Sequence, residues 1–283
     1  MEEIEERIRL ILHPVAAAPW KALLVIACLG LAAVASALSV KEADKRFGVW
    51  MKRGNILLIG DNITTIWNTA ASVEQVAWST APASRLNVAL SATCCLESLQ
   101  GHLSETYGKP GLKAIRQGGW DVVVLMENPY EPLIRRGDFF SAITVLTAEA
   151  RRMKAEVVLF EPFALAPGSV VFGSEASWSG GDPRTMQARL REVCGQIAGR
   201  LHLPVARVGD AFEWVRMHHP EIGLYENDKI HPSPAGSFLQ ACVIASLLTG
   251  KDLRDSGWFP SYGVTEDQAR ILRAVPALAG LSN

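Results

Sequence analysis

Near the C-terminus the sequence reads Asp228-Lys229-Ile230-His231-Pro232-Ser233-Pro234. A carboxylate three residues before an imidazole can reach one ring nitrogen while the other faces a cleft. That is the orienter–base half of a nucleophilic triad, in which the base takes a proton from the attacking group. Ser233 suits a helix N-cap and Pro234 a first helical position, and the apolar run that follows closes at Gly250. His231 is therefore expected on a rigid loop at a helix entrance. A second local signal is Gly60-Asp61-Asn62-Ile63-Thr64, which follows an apolar run and opens a helix. Asp61 suits a cap or turn there, and Asn62 is turn-tolerant on any fold. Thr64 and Thr65 carry hydroxyls one turn into that helix and would point the wrong way to act as nucleophiles. His102 reads as a packed or hydrogen-bonded histidine.

Those residues need a frame. Residues 55–60 (NILLIG), 86–91, 121–126 (DVVVLM), 156–160 and 204–208 read as short buried strands. Helical spacing of apolar positions covers 63–78, 139–154 and 185–201. Continuous apolar strands alternating with amphipathic helices predict a parallel sheet covered on both faces. Ligands of such sheets bind outside the carboxyl ends of the strands. The informative residues should then follow Ile59, Ser91, Met126 and Phe160. Residues 162–183 form a long Gly- and Ser-rich loop, suited to a lid or to a plain surface excursion.

Composition removes other classes. With 28 Lys+Arg against 29 Asp+Glu the formal net charge is −1, and no basic stripe or aromatic–basic interleaving is present, so nucleic acid is not an expected partner. The 49% hydrophobic and 20% charged content excludes a disordered or collagenous chain. Five scattered cysteines form no Cys-x-x-Cys pair; no metal site, disulfide framework or cofactor is expected, and the thiols read as buried.

Taken together, these blocks resemble the SGNH (GDSL-type) hydrolases, above all their bacterial DUF4886-like branch. The strand followed by Gly-Asp-x-Ile-Thr is similar to the family's first block. Gly223-Leu224-Tyr225 through Asp228, then His231-Pro232-Ser233-Pro234-Ala235-Gly236-Ser237, is similar to its last block. Ser98-Leu99 with His102, and residues 205–214 (VARVGDAFEW), also resemble that branch. The resemblance covers about residues 53–260. It implies a flavodoxin-like three-layer α/β/α sandwich with a five-stranded parallel sheet. It also implies hydrolysis or transfer of acyl groups, often on acetylated sugars or lipids. The family's nucleophile is the serine of Gly-Asp-Ser. Its oxyanion hole combines that serine's N–H, a second-block glycine and a third-block asparagine. Carried over, Asp228 and His231 match, whereas Asn62 stands at the serine position. The second block falls near Cys95 and Leu96, without a glycine, and the third at Met126-Glu127-Asn128. The implied oxyanion set is Asn62, Cys95 and Asn128. An amide is neither acidic nor nucleophilic, so two readings stand. One is an O-acyl ester hydrolase of altered site acting on a small-molecule or glycan ester. The other is a non-catalytic descendant that binds a ligand or partner.

Residues 22–40 carry no charge over 19 positions, close to the length of about 20 that spans a bilayer. They read as a signal-anchor or transmembrane segment and place the protein, as an expectation, in the bacterial periplasm or cell envelope, anchored or exported. The expected organisation is a tail (1–21), this segment (22–40), a linker (41–52), the hydrolase-like domain (53–260) and a C-terminal helical tail (261–283).

Overall fold

Five apolar runs build the sheet. In the computed structural model, which describes residues 53–83, 85–93, 97–104, 111–173 and 175–281, these are β1 (Arg53–Asp61), β2 (Arg85–Thr93), β3 (Val122–Met126), β4 (Glu156–Phe160) and β5 (Val205–Ala206). All pair in parallel in the order β2-β1-β3-β4-β5. The helices are α1 (Asn62–Thr65), α2 (Thr69–Thr80), α3 (Gly111–Gln117), α4 (Glu131–Ile134), α5 (Arg136–Arg152), α6 (Pro183–Leu201), α7 (Val208–His218), α8 (Pro234–Thr249) and α9 (Glu266–Leu278).

Strand alternation divides the core in two. Ile56 and Leu58 of β1 and Val122 and Val124 of β3 pack against α2, α7, α8 and α9. Leu57, Ile59, Val123 and Leu125, the opposite set, pack against α3, α5 and α6. The result is the three-layer α/β/α sandwich that the apolar strands require. From β1 the chain runs outward to β2, then returns to β3 on the other side of β1. The switch point thus lies between the carboxyl ends of β1 and β3, where a crevice opens in such sheets.

Three expectations change. The helix expected over 63–78 is broken after Thr65: residues 66–68 form a tight turn in which Trp67 (φ 59°) and Asn68 (φ 58°) are left-handed, and α2 restarts at Thr69. The strand expected over 204–208 pairs only at Val205 and Ala206, because Val208 already opens α7 and Gly209 N–H donates to the Glu161 carbonyl at 3.1 Å. Residues 162–183 are pinned at their start: Phe163, Ala164 and Leu165 are buried, and the Gln187 side chain bonds to Ala164 N and Glu161. Farther on, α9 buries Ala269, Leu272 and Val275 in the core shared with α8.

Cys194 and Cys242 are buried free thiols. Among the described residues no helix is long and apolar enough to cross a membrane. The apolar stretch 22–40, and Cys95 and Leu96, lie outside the described residues.

Candidate active site

β1 ends directly in the site. Asp61, its last residue, is the N-cap of α1: one carboxylate oxygen, Oδ1, accepts from the N–H groups of Ile63 (3.1 Å) and Thr64 (3.2 Å). The Thr64 hydroxyl closes the capping box by accepting from Asp61 N–H at 3.1 Å. Thr65 donates its hydroxyl to the Asp61 carbonyl. Both threonine hydroxyls are thus turned into the helix, as expected. Gly60 is required one residue earlier, since a Cβ there would lie 2.3 Å from Thr64 Oγ1 and 3.1 Å from the Met126 carbonyl. His102 is fully buried and donates Nε2–H to the Gly60 carbonyl at 3.2 Å.

This turn aims Asn62 at the loop before α8. Asn62 Nδ2 lies 2.7 Å from His231 Nε2, and His231 Nδ1 lies 2.6 Å from Asp228 Oδ2. A carboxylate only accepts, so Nδ1 carries the ring proton and Nε2 presents its lone pair to the Asn62 amide. The other Asp228 oxygen accepts from the N–H groups of Ile230 (2.9 Å) and His231 (2.9 Å). Burial opposes the Asp228 charge, but the imidazole and these two N–H groups outweigh it and hold the carboxyl below its usual range.

The loop itself is braced from below. Tyr225 pairs with Pro232 in an antiparallel bridge, Glu226 N–H donates to the His231 carbonyl at 2.8 Å, and Ser233 N–H donates to the Leu224 carbonyl at 2.9 Å. Ser233 caps α8 through Gly236 N–H, with Pro234 at the first helical position and Gly250 at the end.

Asn128 follows β3, the strand next to β1. Its Oδ1 accepts from the N–H groups of Tyr130 (3.0 Å) and Glu131 (3.3 Å), which leaves its buried Nδ2 without a partner among the described residues. A free amide donor at the carboxyl edge has the chemistry an oxyanion needs. Beside it, Glu127 directly follows the wholly apolar strand β3. Burial, reinforced by Glu131 and Asp61, raises its carboxyl well above the usual range, against the N–H groups of Leu99 (3.0 Å) and Asn128 (3.0 Å). A carboxylate placed straight after VVVLM was the available signal for this residue. None of Asn62, Asn128 and His231 lines the groove of about 530 Å³ bordered by Ala166, Arg216, Met217, Leu224 and Tyr225. Concavity alone does not mark chemistry, and the candidate site is the Asn62–His231 contact.

Asp61 gives the site a pH signature. It is fully buried and its second oxygen, Oδ2, has no hydrogen-bond partner among the described residues. Burial raises its carboxyl from the usual 3.8 to about 6, despite the hydrogen bonds from Thr64 and Ile63. The folded state therefore binds more protons than the unfolded chain between those values, and stability falls as pH rises through that window. A shift of this size corresponds to roughly 3 kcal/mol. Asp61→Asn keeps the capping oxygen but removes the charge. Urea unfolding should show the wild type losing stability relative to Asp61→Asn between pH 4 and pH 6.5. Parallel curves for the two proteins would show that Asp61 does not titrate there.

No protein-family model and no curated protein matches the chain. Solved structures do. A candidate SGNH hydrolase from Slackia heliotrinireducens superposes with a TM-score of 0.57 at 24% identity, over 69% of this chain and 98% of that one. A DUF4886 family protein from Bacteroides uniformis gives 0.64 at 13% identity, over 81% and 95%. The acetyl xylan esterase AlAXEase gives 0.51 at 13% identity, over 68% and 98%. With the five-stranded parallel sheet and its strand order, these likenesses give the chain the α/β/α fold of the SGNH hydrolases, shared with their DUF4886 branch.

Proposed function

We propose that this domain keeps the acyl-binding site of an SGNH ester hydrolase but, with Asn62 in the nucleophile position, acts as a binding domain for an O-acylated small molecule or glycan. The observation that carries the reading is the 2.7 Å contact between Asn62 Nδ2 and His231 Nε2. In a serine hydrolase that nitrogen removes a proton from a hydroxyl, which then attacks the ester carbonyl. Here the partner is an amide whose nitrogen lone pair is delocalised into its carbonyl, so it is a poor nucleophile and forms no acyl intermediate. Loss of a triad nucleophile costs on the order of 10⁶ in turnover. What remains is a site with an orienting carboxylate, an imidazole and the Asn128 amide donor. The acetyl xylan esterase among the fold neighbours supports an acyl ester as the ligand class.

The intact Asp228–His231 pair, at 2.6 Å, favours a second reading, slow hydrolysis by water that His231 deprotonates directly. Residual catalysis of about 10³ over water is the scale such remnants reach. The two readings part on p-nitrophenyl acetate and a serine-reactive fluorophosphonate. Binding without chemistry requires no covalent label and a rate equal to that of His231→Ala. A His231-dependent rate without label would establish the water route, and labelling of Asn62-containing protein would overturn both. The proposal extends to placement at the cell envelope, supported by the 19 uncharged residues 22–40. Fractionation of cells with and without that stretch tests it: membrane association that does not depend on it would remove this part.

A further inference from the structure

The break between α1 and α2 is unusual for its sequence. Trp67 takes φ 59° and ψ 32°, followed by Asn68 at φ 58°. A bulky aromatic residue rarely adopts this backbone, and such conformations cluster at binding and catalytic sites. What the turn accomplishes is visible in its contacts. The indole Nε1–H donates to the Pro232 carbonyl at 3.1 Å, and Pro232 is the residue after His231. The ring is thereby fixed at the rim of the Asn62–His231 site while 38% of the residue stays exposed. Tyr262 meets it from the segment before α9, with ring centroids 5.4 Å apart and planes tilted by 32°. Tyr262 is 67% exposed. Its loop approaches closely because Gly263 (φ 69°) has no Cβ, which would lie 2.5 Å from Pro234 Cγ.

From these observations we propose that Trp67 and Tyr262 form a stacking subsite for a pyranose ring of gluco or xylo configuration, next to the Asn62–His231 site. This rests on the reading of that site as one for an O-acyl group, which the stacked sugar would present to it. Rings of this configuration carry axial C–H groups on their faces and hydroxyls around their edge. The faces match the electron-rich planes of aromatic rings, and the hydroxyls stay in water. The indole N–H is already committed to Pro232, so the pair offers planes and little hydrogen-bonding selectivity. Two half-open rings at the surface do not enclose a methylene chain, for which a concave apolar pocket is the usual host. They are also far short of the ~800 Å² per partner of a stable protein interface.

The test uses the full chain with two probes, cellotetraose and partially O-acetylated cellotetraose. Saturation-transfer NMR should show the strongest transfer at the axial ring protons of both. Titration should show Tyr262→Ala weakening both by about fivefold or more. Trp67→Phe, which keeps a ring but loses the Pro232 hydrogen bond, should weaken them by a smaller factor. If neither sugar binds, or if Tyr262→Ala and Trp67→Phe leave both affinities within about twofold, the subsite is overturned. The acyl reading fails separately: equal affinity for the two sugars, unchanged by Asn62→Asp, would leave the platform standing and remove the acyl site.

Discussion

Asn62→Ser should turn this domain into a slow esterase. The substitution places a hydroxyl at the turn that already faces His231 Nε2, and Asp228 already holds Nδ1 at 2.6 Å. Serine is one bond shorter than asparagine, so the hydroxyl should sit farther from Nε2 than the 2.7 Å of the amide. Such contacts are often long in uncomplexed enzymes and tighten with substrate. Full repair would recover on the order of 10⁶. A less complete oxyanion hole costs about 10² to 10³, so we expect a gain of roughly 10³ in acetyl-ester hydrolysis over the parent protein. Fluorophosphonate should label Ser at position 62, and His231→Ala should abolish both signals. Position 62 begins α1 and is only half-buried, so stability should change by less than about 1 kcal/mol. A variant that folds but neither hydrolyses nor labels would place the lesion beyond residue 62.

Gly236→Ala should be the most destabilising small change in the His231 region. A Cβ at Gly236 would lie 2.2 Å from the Leu224 carbonyl oxygen and 3.0 Å from Pro232 Cβ. The first obstacle is backbone, and the same carbonyl already accepts the Ser233 N–H. Relief therefore requires the loop carrying His231 to move away from α8. Overpacking of this kind costs about 3 kcal/mol, which for a domain of this size lowers Tm by roughly 6–12 °C. Thermal unfolding reads it directly. An unchanged Tm would show that the loop yields freely. Combined with Asn62→Ser, the same change should also lower the restored rate, because His231 moves with the loop.

The sheet was legible because buried parallel strands leave a short, uninterrupted apolar signature. Residues 156–160 coincide with β4, and 121–126 misses β3 by one residue. Asp228 and His231 were legible for a different reason: their partnership is local, set by a three-residue spacing and a helix cap. The family resemblance placed Asn62 opposite His231 across 169 positions, which no periodicity could do. The break at Trp67 left no local trace. Residues 63–78 keep helical spacing through it, and the contacts that favour the left-handed turn come from Pro232 and Tyr262, distant in the chain. The short β5 was hidden likewise. Val205 to Val208 look strand-like, but the hydrogen bond from Gly209 to Glu161 starts α7 early. The burial of Glu127 is not legible, because an acidic residue just after a strand is ordinarily solvated and the Leu99 N–H that it accepts comes from a distant segment.

Every residue of α8 after Pro234 is buried, and among the elements it packs against is α2, which ends about 170 residues earlier in the chain. This geometry has a consequence for biosynthesis. Translation adds about 5–20 residues per second, so α2 leaves the ribosome on the order of 10–30 s before the helix that covers it. Through that interval Val73, Val76 and Ala77, all buried in the finished core, have no α8 to lie against. The nascent chain must spend it guarded by a chaperone or in a provisional collapse. A ribosome stalled before residue 234 should hold a chain that proteases cut readily within α2, and the protection should arrive only as Thr249 emerges.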